Sequence, residues 1–299
     1  MNPERISVEL ARDLVDEQFP SWSPLPMRPV SRQGVDNRSF RLGDDLLVRL
    51  PAGEWYAHQV DKEQTWLPRL APQLPLPIPE PVARGAATPS YPYPWSIYRW
   101  IEGVTADEAI TDWGQVAQPL ARFLAALQRL DPRGGPPPGT HNFFRGASVS
   151  AYSAETITAI QTLGTEIDRA AAESVWSAAT ATTWTQRSRW FHGDVSPDNL
   201  LTRNGRLCAV IDFGTSGVGD PACDTVIAWT HLDPRSREVF RRGLNLDPAT
   251  WARGRGWALW KALISLVCHL ETGDDAGAIH SRSVISRVLA DHHAGAANT

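Results

Sequence analysis

The sequence predicts an α+β fold, with an antiparallel sheet near the N-terminus and a mainly helical remainder. Two patterns carry that prediction. Short apolar segments separated by turn residues fill residues 30–100, whereas apolar residues recur at helical spacing from residue 116 onward. A third observation is a loop rich in Asp, Asn and Gly, set among apolar strands within residues 191–214. At 299 residues the chain is long enough for two lobes, each with its own core.

In chain order, residues 4–18 place Ile6, Leu10, Leu14 and Val15 on one side of a short helix. The proline-rich run SWSPLPMRPV follows, and residues 30–50 read as strands with turns. Gly43-Asp44-Asp45 makes a hairpin turn between Phe40-Arg41-Leu42 and Leu46-Leu47-Val48-Arg49-Leu50. Residues 53–70 form a helix whose apolar side is Val60, Trp66, Leu67 and Leu70. Between 72 and 94 the prolines exclude a continuous helix, because each one removes an amide donor and clashes with the preceding turn. LPLPIPEP is extended there and leads to a strand near Val82. A second strand takes in residues 95–100 before Gly103 breaks it.

Beyond that break, Val116, Leu120, Phe123, Leu124 and Leu127 trace a core helix. Residues 133–146 are a loop rich in proline and glycine, and 152–182 are helical or irregular. Trp257, Trp260, Leu263, Ile264 and Val267 mark another buried helical face, and the closing AGAANT is expected to fray. Eight of the 13 tryptophans lie from Trp113 onward, most as core residues and a few available to line an apolar pocket. The expected division is an N-terminal lobe over 1–97, a connection over 98–103 and a helical C-terminal lobe over 104–299.

Composition excludes several function classes. A net charge of −4 gives no electrostatic footprint for nucleic acid. No apolar run approaches the length of a membrane span, and the N-terminus, with Glu4 and Glu9, lacks the apolar core of a signal peptide. The three cysteines, Cys208, Cys223 and Cys268, have no paired spacing for zinc or a disulfide framework. A cytoplasmic location is the expectation.

The chemistry concentrates in residues 191–214, FHGDVSPDNLLTRNGRLCAVIDFG. Asn199 stands five places after the aspartate of His192-Gly193-Asp194, and an apolar run ends in Asp212-Phe213-Gly214. Leu200-Leu201 starts one strand, Asn204-Gly205 is a hairpin turn signal, and residues 207–211 make the second strand. Order and spacing match H-x-D-x-x-x-x-N followed by D-F-G, the catalytic loop and metal-binding triplet of kinases. Phosphoryl transfer needs one carboxylate aimed at the acceptor hydroxyl. It also needs a carboxylate and an amide oxygen to hold magnesium against the nucleotide phosphates. Asp, Asn and Gly are common in turns as well, so a hairpin without chemistry is the competing reading.

From GVDNRSFRLGDDLLVRLP through HGDVSPDNLL and IDFG to GDPACD, the chain resembles the aminoglycoside phosphotransferase family, antibiotic kinases that share a fold with protein kinases. The resemblance implies a bilobal protein-kinase-like fold, ATP or GTP as donor, Mg2+, and a small-molecule hydroxyl acceptor. It makes Asp194 the catalytic aspartate, Asn199 and Asp212 the metal ligands, and His192 a brace for the loop. Asp220 and Asp224 would support the catalytic loop or contact substrate, although Asp-Pro is also an ordinary helix start. Arg49 stands where kinases place a lysine on the nucleotide phosphates, with Glu63 as its partner or as a solvated charge beside Asp61 and Lys62. The segment from Gly34 to Ser39 has one glycine where protein kinases have three. It covers phosphates through backbone N–H groups and Ser39, or is a turn before a strand. Tyr98 would back the purine pocket, and backbone groups around Arg99 and Ile101 would read the base.

Gly214 is followed almost at once by Gly219-Asp220-Pro221, which leaves no room for a long activation segment, and Gly193 replaces the arginine that reads its phosphorylation. Both features favour a small acceptor. A polycationic aminoglycoside asks for an acidic pocket, for which Glu271, Asp274 and Asp275 are candidates unless they form a solvated helix end. The tryptophan-rich half equally suits a partly apolar acceptor such as a macrolide. A nucleotide-binding protein without turnover is the remaining alternative, against which intact Asp194, Asn199 and Asp212 argue.

Overall fold

The computed structural model describes residues 6–110 and 112–296, which group into two compact units. One unit comprises residues up to 109 together with 198–215, and the other takes 110–197 and 216 onward. The expected α+β class holds, with the sheet in the first unit and most helices in the second.

The first unit opens with α1 (Val8–Gln18), started by the Ser7 hydroxyl, which accepts from the Leu10 amide at 3.3 Å. Strands β1 (Met27–Pro29), β2 (Asn37–Leu42), β3 (Leu46–Pro51), β4 (Pro81–Gly85) and β5 (Trp95–Arg99) form an antiparallel sheet in the order β1-β2-β3-β5-β4. Strand β1 has no counterpart in the sequence reading, because Pro26 and Pro29 mask it. It is an edge strand paired with β2, where a missing amide donor is tolerated. Alternation along β2 and β3 sends Phe40, Leu42, Leu46, Val48 and Leu50 into a core with Leu14, Val15, Trp95 and Ile97.

Arg49, between two of those residues, therefore faces the other way, toward α2 (Glu54–Leu70). That helix buries Ala57, Val60, Glu63, Leu67 and Leu70, a stripe at three- and four-residue spacing that includes one carboxylate. After β6 (Val104–Thr105) and α3 (Ala106–Ala109), the unit is completed by β8 (Leu200–Arg203) and β9 (Arg206–Val210), giving a second sheet ordered β6-β8-β9. The turn residues Asn204 and Gly205 both take positive φ, 53° and 72°, the tight hairpin geometry their sequence calls for.

The second unit contains α4 (Gly114–Arg129), α5 (Ser153–Leu163), α6 (Arg169–Thr180), α7 (Ile227–Thr230), α8 (Pro234–Leu244), α9 (Pro248–Thr272) and α10 (Asp275–Ala296). Strands β7 (Arg189–Phe191) and β10 (Gly217–Gly219) pair within it. The central helix is α9, started by Asp247 accepting from the Thr250 amide at 2.7 Å and ended by Gly273 at φ 70°. It buries Trp251, Trp257, Leu259, Trp260, Leu263 and Leu266. The loop before α5 turns on Gly146, at φ 80°, where a Cβ would lie 2.0 Å from the Phe191 ring. The closing residues differ from expectation: 294–296 continue α10, and 297–299 lie outside the described residues. Among the described residues no helix is long and apolar enough to cross a membrane.

Candidate active site

In the first unit, the β8–β9 register decides what meets at the base of the hairpin. Leu200 pairs with Val210, and one step further the Asn199 carbonyl accepts from the Ile211 amide at 2.9 Å. Asn199 and Asp212 are thereby neighbours across the base. Asp212 adopts φ 63°, an uncommon conformation for a residue with a side chain, and its carboxylate accepts from the Gly214 amide at 3.2 Å.

Arg49 joins this base to α2. One arm of its guanidinium lies 3.4 Å from Asp212 Oδ1 and the other 3.5 Å from Glu63 Oε2. Burial disfavours the charge on Arg49, but Glu63 and Asp212 outweigh it and raise the guanidinium pKa further. Glu63 also accepts from the Tyr98 hydroxyl, and its Oε1 is buried with no hydrogen-bond partner. Tyr98 is only 2% exposed, and burial followed by the Glu63 charge pushes its hydroxyl pKa up. Lys62 donates to the Gly214 carbonyl, and burial brings its pKa down to about 8, partly offset by Glu63 and Asp212.

The other predicted nucleotide residues are placed as follows. The Ser39 amide donates to the Gln33 side chain at 2.8 Å, and its carbonyl accepts from Val30 and Gln33, so the hydroxyl is the group left to face a phosphate. The Arg99 amide donates to the Glu80 carbonyl at 2.9 Å, and Ile101, half-buried, follows just beyond β5. Gly34 takes no left-handed conformation, and a Cβ there would meet its nearest neighbour only at 3.8 Å.

The donor set suits a hard divalent cation. Asp212 is 33% exposed and follows Ile211, whose backbone pairs with that of Asn199, so a carboxylate and an amide residue stand at adjoining positions of the hairpin base. A further carboxyl, Asp36, has its pKa raised to about 6, by burial first and then by the charge of Asp212, while Tyr56 and Gln59 hydrogen-bond to it.

In the second unit, Asp224 is fully buried and accepts from the amides of His192 at 2.9 Å and Gly193 at 2.7 Å. Burial raises its pKa, an effect opposed by His192 and by those two amides. Gly193 takes φ 89°, which explains a glycine at that position. The Asp194 amide points at His192 Nδ1, 3.3 Å away. Asp220 serves two roles, accepting from the Ala222 amide at 3.1 Å as a helix start and pairing with buried Arg253 at 2.6 Å.

Two residues near Asp194 were not found in the sequence. Lys261 of α9 brings its ammonium to 3.6 Å from Asp194 Oδ1, and Arg145 donates from Nε to the Gly193 carbonyl at 3.0 Å. The signal for Lys261 was compositional: only two of the 29 Lys and Arg residues are lysines, Lys62 and Lys261.

A profile of the phosphotransferase enzyme family (APH) matches residues 27–257. A comparison with curated protein sequences gives no match. Among solved structures, the GDP and kanamycin complex of APH(2")-IIia superposes with a TM-score of 0.72 at 18% identity, covering 95% of this chain and 99% of that one. The macrolide 2'-phosphotransferase MphH from Brachybacterium faecium gives 0.63 at 20% identity, with 93% and 97% covered. ADP-bound aminoglycoside phosphotransferase APH(2'')-Ib gives 0.60 at 18% identity, with 95% and 97% covered. At these identities the likeness shows a shared fold.

Proposed function

The chain belongs to the phosphotransferase enzyme family, and on that premise we propose that it moves the γ-phosphoryl group of ATP or GTP to a hydroxyl of a small molecule, an aminoglycoside-like antibiotic or a related metabolite. The observation that carries this reading is the hairpin base, where register sets Asn199 beside Asp212 and Arg49 ties Asp212 to Glu63. Mg2+, held by Asp212 and Asn199, would neutralise charge on the transferring phosphate.

Asp194 accepts a hydrogen bond from the acceptor hydroxyl and orients its oxygen toward the phosphate. Asp224 keeps that loop in shape through two backbone amides, with His192 bracing it and Asp220 anchoring the following segment to Arg253. Arg49 gives the nucleotide phosphates a fixed cation, oriented by Glu63, and the Ser39 hydroxyl adds a donor. Tyr98 backs the base, which the Arg99 carbonyl and the Ile101 peptide groups read. In functional terms residues 1–97 form the nucleotide lobe, 98–103 the connection and 104–299 the catalytic and acceptor lobe, acting in the cytoplasm where nucleoside triphosphates are available. Relatives in fold that hold GDP or ADP, and one that holds kanamycin, support this reading.

The test is release of ADP or GDP by purified protein with Mg2+ across kanamycin, a macrolide and sugar alcohols, with product mass confirming transfer. Acceptor-dependent release is expected. Tight nucleotide binding without transfer to any acceptor would identify a binding protein instead.

A further inference from the structure

Lys261 and Asp194 lie in the same unit, 3.6 Å apart, with side chains 47% and 40% exposed. A second cation borders the loop. Arg145 is fixed by the Gly193 carbonyl and lies 5.1 Å from the ring centroids of both Trp257 and Trp260, yet its Nη1 has no hydrogen-bond partner. Tyr152 stacks on Trp260 at 3.9 Å, and the Trp260 indole donates to Glu155 at 3.0 Å, which occupies a nearby carboxylate. The acidic residues that would suit a polycation lie elsewhere. Glu271 is ten residues further along α9, roughly 15 Å by helical rise, and Asp274 accepts from the Gly277 amide at the start of α10.

We propose that Lys261 selects the acceptor by charge: the hydroxyl compound that meets Asp194 carries a carboxylate or phosphate near its reacting hydroxyl, in place of an array of amines. The inference rests on the transferase reading above. A hydroxyl bonded to Asp194 holds its nearest substituents within roughly 6–8 Å of the Lys261 ammonium. At that range the ammonium offsets both the pull of Asp194 on an amine and its push on an anion, and the Arg145 guanidinium beside Gly193 then leaves the surroundings of the loop net positive, which favours an anion. One unit charge there is worth about 3- to 50-fold in affinity, depending on how far water screens it.

The experiment compares gluconate, glucose 6-phosphate, sorbitol and kanamycin as acceptors for wild type, Lys261→Ala and Lys261→Glu, with melting temperatures to verify folding. In the wild type kcat/KM should fall from the anions through sorbitol to kanamycin, by about tenfold or more across the series. Lys261→Ala should flatten that order and Lys261→Glu reverse it, chiefly through KM. The first two compounds separate a carboxylate source from a phosphate source. Preference for kanamycin in the wild type, or an unchanged order in Lys261→Glu, overturns the proposal.

A second measurement needs no turnover. Acetylation of Lys261 by an N-hydroxysuccinimide ester is followed by peptide mass spectrometry, with Lys62 as internal reference. Protection by the anions and not by kanamycin supports the proposal; equal protection by all four compounds, or by none, overturns it. Protection in the expected order without phosphate transfer would fault the transferase reading and leave the charge preference standing.

Discussion

In the second unit, around residues 189–197 and 216–224, the buried carboxylates have matched partners. Asp224 accepts two backbone amides, and Asp220 is paired with a buried arginine that also donates to Thr182 and Thr250. Around Arg49 the accounts differ. Three carboxyl groups, Glu63, Asp212 and Asp36, share two cations, Arg49 and Lys62, and Asp36 keeps its proton to about pH 6. The first arrangement holds a loop in one shape without help. The second carries surplus negative charge and an unmet acceptor on Glu63, the condition of a site that gains from a bound cation.

The largest expected effect is on Asp194, the group the finished scaffold presents. Asp194→Asn should lower turnover by about 10²–10⁴-fold while nucleotide affinity measured by calorimetry stays within about twofold. Near-normal turnover would remove Asp194 from its role. Asp224→Ala should strip two buried amides of their acceptor, costing about 3 kcal/mol or more in urea unfolding and roughly 10²-fold in turnover through the displaced loop. If stability fell and turnover did not, the scaffold would matter to folding alone.

On the charged side, Arg49→Ala should raise the nucleotide dissociation constant by roughly 10–100-fold, with Arg49→Lys between it and wild type. Unchanged binding would reject the phosphate contact. Asp36 sharpens the same comparison through pH. Its folded pKa lies near 6, whereas the unfolded chain titrates near about 4, so the folded state holds this proton longer. The stability it lends is full below about pH 4 and is lost as pH rises through about 6. Asp36→Asn should abolish that slope and, after allowance for solvent screening, make the protein more stable at pH 8 by about 1–2 kcal/mol, read from urea melts. The smallest effect belongs to Gly34→Ala, less than about twofold in nucleotide affinity, since neither its backbone nor its surroundings demand glycine. A larger loss would show that phosphate approaches the backbone there.

Local signals made the hairpin and its two oxygen donors legible, because spacing and an Asn-Gly turn fix register within a few residues. Glu63 came from the family resemblance alone, with a solvated charge as the alternative, and its burial beside Val60 and Leu67 is visible only once the helix packs. Asp36 lay inside the GVDNRSF segment, yet nothing local shows that Asp212 would sit near enough to perturb it. Arg253, between Ala252 and Gly254, carries no local sign that the fold buries it against Asp220. Lys261 is adjacent to Trp260 on a helix whose periodicity says only that one side is buried. Its meeting with Asp194 is a product of tertiary packing, which no spacing rule encodes. Strand β1 was hidden because proline is a poor strand former except at an edge, and edges are known only once the sheet is assembled.

The tip of the β8–β9 hairpin has a reach beyond its size. Pairing runs from Arg203 opposite Arg206 to Leu200 opposite Val210, with one shift of register where Cys208 is accommodated. A single residue inserted at Asn204-Gly205 would slide β9 by one place and exchange its inward and outward side chains. Asp212 would then no longer follow the residue facing Asn199. The length of an exposed surface turn is in this sense a ruler for the distance between two oxygen atoms at the opposite end of the hairpin.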